Sequence, residues 1–203
     1  MIAIVDYGVG NLFSLKSSLS AIGADVTVTG DADSISCADK IILPGVGAFG
    51  DAAEKLRVTG LADVLKTAAA KGVPILGICL GMQLLLEKSF EYGEHEGLGL
   101  IHGEIRPISE AIPSELKIPQ IGWNSLNFTG ERSPIFKYIN DGDFVYFVHS
   151  FHGTNCDANT IAVTEYGAEL TAAVACDNVF GCQFHPEKSG EVGLNILRAF
   201  CEL

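Results

Sequence analysis

One stretch narrows the possible folds more than any other: Pro74-Ile75-Leu76-Gly77-Ile78-Cys79-Leu80-Gly81-Met82-Gln83. An apolar run of strand length ends at a cysteine with glycines two residues to either side, and a segment of helical period follows over residues 82–90. A strand turning sharply into a helix leaves the residue at the bend exposed, and glycines flank such an elbow because a Cβ there would strike the neighbouring strand or helix. Cys79 would then sit at the amino end of a helix, where unpaired N–H groups and the macrodipole favour a thiolate. A buried structural cysteine is the plainer reading. The paired glycines, with Gln83 one helical turn on, favour a nucleophile instead.

Upstream, strand and helix alternate. Residues 2–7 form a short apolar strand, the Gly8-Val9-Gly10-Asn11 turn follows, and Leu12, Leu15, Leu19 and Ile22 recur at helical spacing until Gly23. The turn lacks the third glycine of a dinucleotide fingerprint, with Phe13 in its place, so a plain tight turn is the better reading. A strand over 25–29 precedes a third over 40–45, which ends in a glycine-rich loop over 45–50. Asp51 and Glu54 resemble a capping box for the next helix, and another helix spans 61–71. This alternation predicts an α/β fold: a flavodoxin-like open, mostly parallel sheet with helices on both faces. Ligands of such sheets bind at the carboxyl ends of the strands, where both the 45–50 loop and Cys79 fall.

Downstream the texture changes. Prolines 107, 113 and 119 punctuate short strands over 99–108 and 121–128, a strongly apolar strand covers 144–150, and strands over 161–165, 171–175 and 179–184 read as a meander, giving a smaller antiparallel sheet in the second half. A closing helix carries Val192, Ile196, Phe200 and Leu203 on one face. Glu94-His95-Glu96 reads as a solvated loop, and His149 and His152 would point to opposite faces, so no metal site is expected.

At 203 residues the chain is expected to be a single domain with a sizeable core. A net charge of −12 argues against nucleic acid as a partner. No apolar run is long enough to span a bilayer, and the N-terminal strand has no signal-peptide features, so the expectation is a cytoplasmic protein with no membrane partner. Six scattered cysteines without paired spacing read as free thiols in a reducing compartment.

The last strand ends in Gly181-Cys182-Gln183-Phe184-His185-Pro186-Glu187-Lys188. Pro186 disfavours helical geometry at His185, and in an extended segment Glu187 lies on the same side as His185, within reach of its ring. A carboxylate beside imidazole fixes the tautomer and stabilises the imidazolium. Alone this could equally be a surface turn. Beside a nucleophile elbow it becomes a candidate Cys79-His185-Glu187 triad. The Leu80 N–H and the Pro44-Gly45-Val46-Gly47 loop are placed to supply an oxyanion hole, and the loop's two glycines would let a peptide plane rotate at low cost.

Taken together, the elbow, the Pro44-Gly-Val-Gly47 loop and His185-Pro-Glu187 resemble the class I (triad) glutamine amidotransferases, end to end. Asp6-Tyr-Gly-Val-Gly-Asn-Leu12, Pro119-Gln-Ile-Gly-Trp-Asn124 and Tyr146-Phe-Val-His-Ser150 resemble, within that family, the glutaminase subunits of imidazole glycerol phosphate synthases. One departure is Gln120, where many members carry His. The resemblance implies hydrolysis of L-glutamine to glutamate and ammonia without a cofactor: Cys79 as nucleophile, His185 as proton donor oriented by Glu187, and Leu80 with the Val46–Gly47 peptide around the oxyanion. It implies Gln83, Glu91, Ser150 and Phe151 at the glutamine head group. It also implies a (β/α)8-barrel cyclase as partner, with Asn11, Trp123, Tyr146 and Lys188 near the docking face and ammonia exit. Rival readings are another class I glutaminase, such as that serving pyridoxal phosphate synthase, a non-catalytic subunit of the same fold, or a cysteine hydrolase on a flavodoxin-like sheet.

Overall fold

The computed structural model describes all of residues 1–203. In chain order the elements are β1 Ile2–Val5, α1 Leu12–Ala21, β2 Val26–Thr29, α2 Ala32–Ser36, β3 Lys40–Gly45, α3 Phe49–Val58, α4 Leu61–Ala70, β4 Ile75–Cys79 and α5 Leu80–Leu85. Then come β5 Lys88–Ser89, β6 His95–Glu96, β7 Glu104–Pro107, β8 Gln120–Ser125, β9 Asn127–Phe128, β10 Phe144–His149, β11 Phe151–Thr154, β12 Thr160–Glu165, β13 Glu169–Cys176, β14 Val179–Cys182 and α6 Gly190–Cys201.

The main sheet has eight strands in the order β2-β1-β3-β4-β14-β13-β12-β9. From β2 to β14 all neighbours are parallel, and β13, β12 and β9 complete the sheet as an antiparallel edge. The expected meander is therefore joined to the parallel sheet. The separate smaller sheets are the β10-β8 pair and the set β11-β7-β5-β6.

Alternation along the central strands builds two apolar layers. Ala3, Val5, Ile41, Leu43 and Ile75 face one layer with side chains from α2, α3, α4 and α5. Ile2, Ile4, Ile42, Leu76 and Ile78 face the other with Leu15 and Leu19 of α1 and Ile196, Leu197 and Phe200 of α6. Helices thus cover both faces, as the sequence pattern requires. The site follows from the strand order: the carboxyl ends of β3, β4 and β14 stand side by side, carrying the 45–47 loop, Cys79 and the approach to His185.

Several local expectations need correction. The helix expected over 82–90 stops at Leu85, and Leu86 is extended. Leu84, Leu85 and Leu86 are all fully buried, so this segment packs on every side rather than along one stripe, and Lys88–Ser89 joins the small sheet. Asp51 and Glu54 form no capping box. Helix α3 begins earlier, at Phe49, after Ala48, which has no side-chain cap bond, and Glu54 pairs with Arg57. His95 and Glu96 form strand β6 rather than a loop, the strand expected over 99–108 is confined to Glu104–Pro107, and Leu203 lies exposed beyond α6.

Candidate functional site

Cys79 ends β4 with φ 54° and ψ −111°, a left-handed backbone that a side-chain-bearing residue adopts only under constraint. The constraint is packing. A Cβ on Gly77 would stand 2.6 Å from the Gly81 carbonyl oxygen, and one on Gly81 would stand 1.8 Å from that of Leu43. The elbow thus closes backbone to backbone and aims Cys79 into a cavity of about 370 Å³, within the usual range for small-molecule sites. The cavity is lined by Val46, Gly47, Leu80, Gln83, Glu91 and His185 as well as Cys79, and Ser150 and Phe151 complete the wall with Tyr92, Pro119, Val148 and His149. Every residue expected at the catalytic, oxyanion or glutamine positions lines it except Glu187, which lies behind His185.

His185 Nδ1 is 2.8 Å from Glu187 Oε1, and both side chains are only 4% exposed. His185 is extended, as Pro186 requires, but Glu187 reaches it by a different route from the one expected: Pro186–Lys188 is a 3-10 turn that folds the carboxylate back. Ser189 Oγ donates to the His185 carbonyl at 2.7 Å, and the His185 N–H donates to the Tyr146 carbonyl at 3.0 Å, fixing the ring from its backbone. Burial pulls the imidazole down, but contacts with the Cys79 sulfur and the Glu187 carboxylate outweigh it and raise His185 to about 9. That direction favours the imidazolium form of the ring facing the cavity. Glu187 Oε2 takes no hydrogen bond, and a small void beside it is lined by Asn11, Pro44 and Val46.

The oxyanion candidates come from two neighbours in the sheet. Gly45 is in register with Cys79, and the Tyr7 hydroxyl donates to the Pro44 carbonyl at 2.8 Å, anchoring the base of the loop. Beyond it Val46 is 44% exposed and Gly47 has φ +101° with no atom within 4 Å of a Cβ position, so no side chain packs against the loop at Gly47. Leu80 opens α5, where the first N–H groups have no intrahelical acceptor.

On the opposite wall the Phe151 carbonyl accepts from Gln83 Nε2 at 3.2 Å and from His149 Nδ1 at 2.7 Å. Burial, only partly offset by the Phe151 carbonyl, holds His149 down to about 4. Its Nε2 lies 3.0 Å from Gln120 Oε1, and Gln120, fully buried, donates onward to Asn124. Glu91 Oε2 accepts the Phe49 N–H at 2.5 Å, so this cavity residue is also the cap of α3. Burial pushes the thiols of Cys156 and Cys182 up, with the Glu187 carboxylate adding to Cys182. All six cysteines are free, and only Cys79 lines the cavity.

Sequence reasoning missed Gln183, Tyr7 and the Glu91 cap. Gln183 was open to detection, since it lies two residues before His185 at a strand end and so shares its side. The other two depend on contacts across 37 and 42 residues of chain, which no local pattern announces.

Outside the cavity, Trp123 and Tyr146 are paired across β8 and β10 with rings 6.1 Å apart at 66°, and Lys188 Nζ lies 5.8 Å from the Tyr146 ring. Asn11 caps α1, its Oδ1 accepting the Ser14 N–H at 3.3 Å. No helix is long and apolar enough to cross a membrane.

The family described as "Glutamine amidotransferase class-I" matches residues 3–202. A protein of Caldanaerobacter subterraneus subsp. tengcongensis, described as "Imidazole glycerol phosphate synthase subunit HisH", is 50% identical over 204 residues, covering 100% of this chain and 98% of its own. One of Sulfurimonas denitrificans with the same description is 51% identical, covering 98% and 97%. Among solved structures, PurLQS from Thermotoga maritima superposes with a TM-score of 0.76 at 23% identity over 99% of this chain and 97% of that one. A structure titled "Crystal structure of glutamine amidotransferase" gives 0.76 at 17%, with the same coverage. The fold is theirs, and the sequence goes further: the chain belongs to the class I glutamine amidotransferases and, within them, to the glutaminase subunits of imidazole glycerol phosphate synthase, in histidine biosynthesis.

Proposed function

We propose that this chain, as one amidotransferase unit, hydrolyses L-glutamine in the cavity at Cys79 and delivers the ammonia to a (β/α)8-barrel cyclase. The cyclase would use it to make imidazole glycerol phosphate and an aminoimidazole carboxamide ribonucleotide. The observation that carries the chemistry is the convergence of Cys79, a raised His185 and Glu187 on one wall of a cavity whose other wall offers amide and carboxylate groups.

Cys79 sulfur attacks the side-chain amide carbon of glutamine. The oxyanion that forms is held by the Leu80 N–H and the Val46–Gly47 peptide. His185 gives its proton to the departing nitrogen, ammonia leaves, and a thioester remains on Cys79. His185, now neutral, takes a proton from water as its oxygen attacks the thioester, and glutamate departs while sulfur regains its negative charge. Glu187 keeps Nδ1 of His185 protonated throughout. Gln83 and Glu91, with the Ser150–Phe151 segment, are proposed to hold the amino-acid head group. Both Nε2 contacts of Gln83 go to protein acceptors, which leaves its Oε1 for a substrate donor.

Ammonia in neutral water becomes ammonium, which is no nucleophile, so release calls for a docked acceptor. Exposed Trp123 and Ile121 on β8, 52% and 61% accessible, support a docking face there. Lys188 and Tyr146 would lie near it, and Asn11 beside the void at Glu187. Such a complex would be cytoplasmic.

The direct test is a glutaminase assay of the chain alone, with the cyclase, and with the cyclase plus its nucleotide. Glutamate release should rise strongly in the last. Absence of glutamate release under all three conditions would overturn the proposal.

A further inference from the structure

Gln183 is completely buried between Gln83 and Cys79. Its Oε1 accepts from Gln83 Nε2 at 3.0 Å, and its Nε2 donates to Cys79 Sγ at 3.7 Å. A side-chain amide can be turned end for end, so the direction of this chain of bonds needs an anchor. The anchor is the Phe151 carbonyl, which can only accept and lies 3.2 Å from Gln83 Nε2. Gln83 must aim its NH2 at that oxygen, and its second N–H then meets Gln183. Gln183 must answer with its own oxygen, which turns its NH2 toward the sulfur. The polarity is set some distance away and arrives at Cys79 as a donor.

We infer that Gln183 is a further catalytic residue of the glutaminase reaction, its amide N–H donating to the Cys79 sulfur so as to favour the thiolate and hold it aimed at the cavity. This rests on the reading of Cys79 as nucleophile. An N–H donor gains strength when its acceptor is charged, so the bond favours S⁻ over S–H. It also leaves His185 as the one group that exchanges a proton with substrate, because an amide N–H does not ionise in this range. The bland alternative is that Gln183 merely satisfies Gln83 and fills space.

The two readings part on an isosteric change. Gln183→Met keeps most of the volume, adds no charge and removes the donor to sulfur, and Gln183→Leu removes it with a shorter, branched side chain. The experiment follows the rate of iodoacetamide alkylation at Cys79, located by peptide mass spectrometry, from pH 5 to 10 on the full chain, with thermal melts alongside. In both variants the half-maximal pH should move up by about one unit. In the complex with cyclase, kcat for glutamine hydrolysis should fall about ten-fold or more, with KM little changed. A Gln183→Met variant that melts like the parent and keeps its alkylation profile would overturn the inference, and if Gln183→Met fails to fold, the leucine variant decides alone. Glutaminase activity that survives complete alkylation of Cys79 would instead remove the nucleophile reading itself, and this inference with it.

Discussion

The Gly81 Cα sits against the Leu43 carbonyl so closely that a Cβ there would stand 1.8 Å from its oxygen. The start of α5 therefore rests on the backbone of β3, and the two proposed halves of the oxyanion cradle, Leu80 and the Val46–Gly47 peptide, are spaced by a main-chain contact that no side chain cushions. Gly81→Ala should cost about 3 kcal/mol or more, because the offending atom is backbone and cannot rotate away. A thermal melt should show a midpoint lower by about 6–12 °C, and whatever folds should lose glutaminase activity. An alanine variant with the parent's melting point would mean that the elbow has slack not visible in the structure.

In the proposed mechanism Cys79 carries the covalent step, so Cys79→Ala should abolish glutamate release while leaving the fold and cyclase binding unchanged. The side chain is only 8% exposed and small, and its loss creates little void. Circular dichroism and co-elution with the cyclase check the second half, and a glutaminase assay checks the first. Residual turnover above the uncatalysed level would refute the assignment.

Much of this was legible because it is local. The Cys79 elbow, the α1 stripe of Leu15 and Leu19, and the His185-Pro-Glu187 corner are written within ten residues of sequence, and their periods and breakers obey simple rules. The over-long helix after Met82 failed for an opposite reason: Leu84 to Leu86 are buried by strands and turns distant in sequence, so their apolar character reports tertiary surroundings and not helix length. The capping of α3 was illegible in kind. Its donor, the Phe49 N–H, is answered by a carboxylate 42 residues away, and the Asp51/Glu54 spacing that looked like a cap is a coincidence of composition.

Three buried histidines give the stability an unusual pH dependence. His185 is raised to about 9, so it binds a proton more tightly folded than unfolded. Its contribution is fully present below about 6.5 and is lost as pH rises toward 9. His149 and His152 are lowered to about 4 by burial, so they bind protons more weakly when folded, and their penalty grows as pH falls from about 6.5 to 4. Stability should therefore peak near neutrality and fall on both sides. His185→Asn should flatten the alkaline limb and leave the acid limb in place. Melting curves across pH 4 to 10 on parent and variant decide the matter, and a variant with an unaltered alkaline limb would contradict the assignment to His185.

Glu91 caps α3 and is proposed to meet the substrate as well, and the two roles can be separated. Glu91→Ala should cost about 1–2 kcal/mol through the uncapped Phe49 N–H and the lost charge at the start of α3. It should also raise KM for glutamine well beyond what that destabilisation explains, if the carboxylate faces the substrate's ammonium group. A melt and a steady-state titration of the same preparation read the two effects separately. A KM equal to the parent's would reduce Glu91 to a helix cap.

The Val46–Gly47 peptide is a lightly held piece of the cavity wall. Tyr7 fixes the loop only as far as the Pro44 carbonyl, and Gly47 rests at φ +101°, a setting that costs a side-chain-bearing residue about 1–2 kcal/mol. If the unpartnered chain rests with its oxyanion donor turned away, alanine at this position penalises the resting setting and so favours the alternative. There is room for the methyl group, since nothing lies within 4 Å of it. Gly47→Ala should then raise the basal glutaminase rate of the chain alone by about ten-fold, and stimulation by nucleotide-bound cyclase should shrink by a similar factor, with KM for glutamine unchanged. A basal rate that stays at the parent's level, in a variant that still responds fully to the cyclase, would show that this peptide is not what docking adjusts.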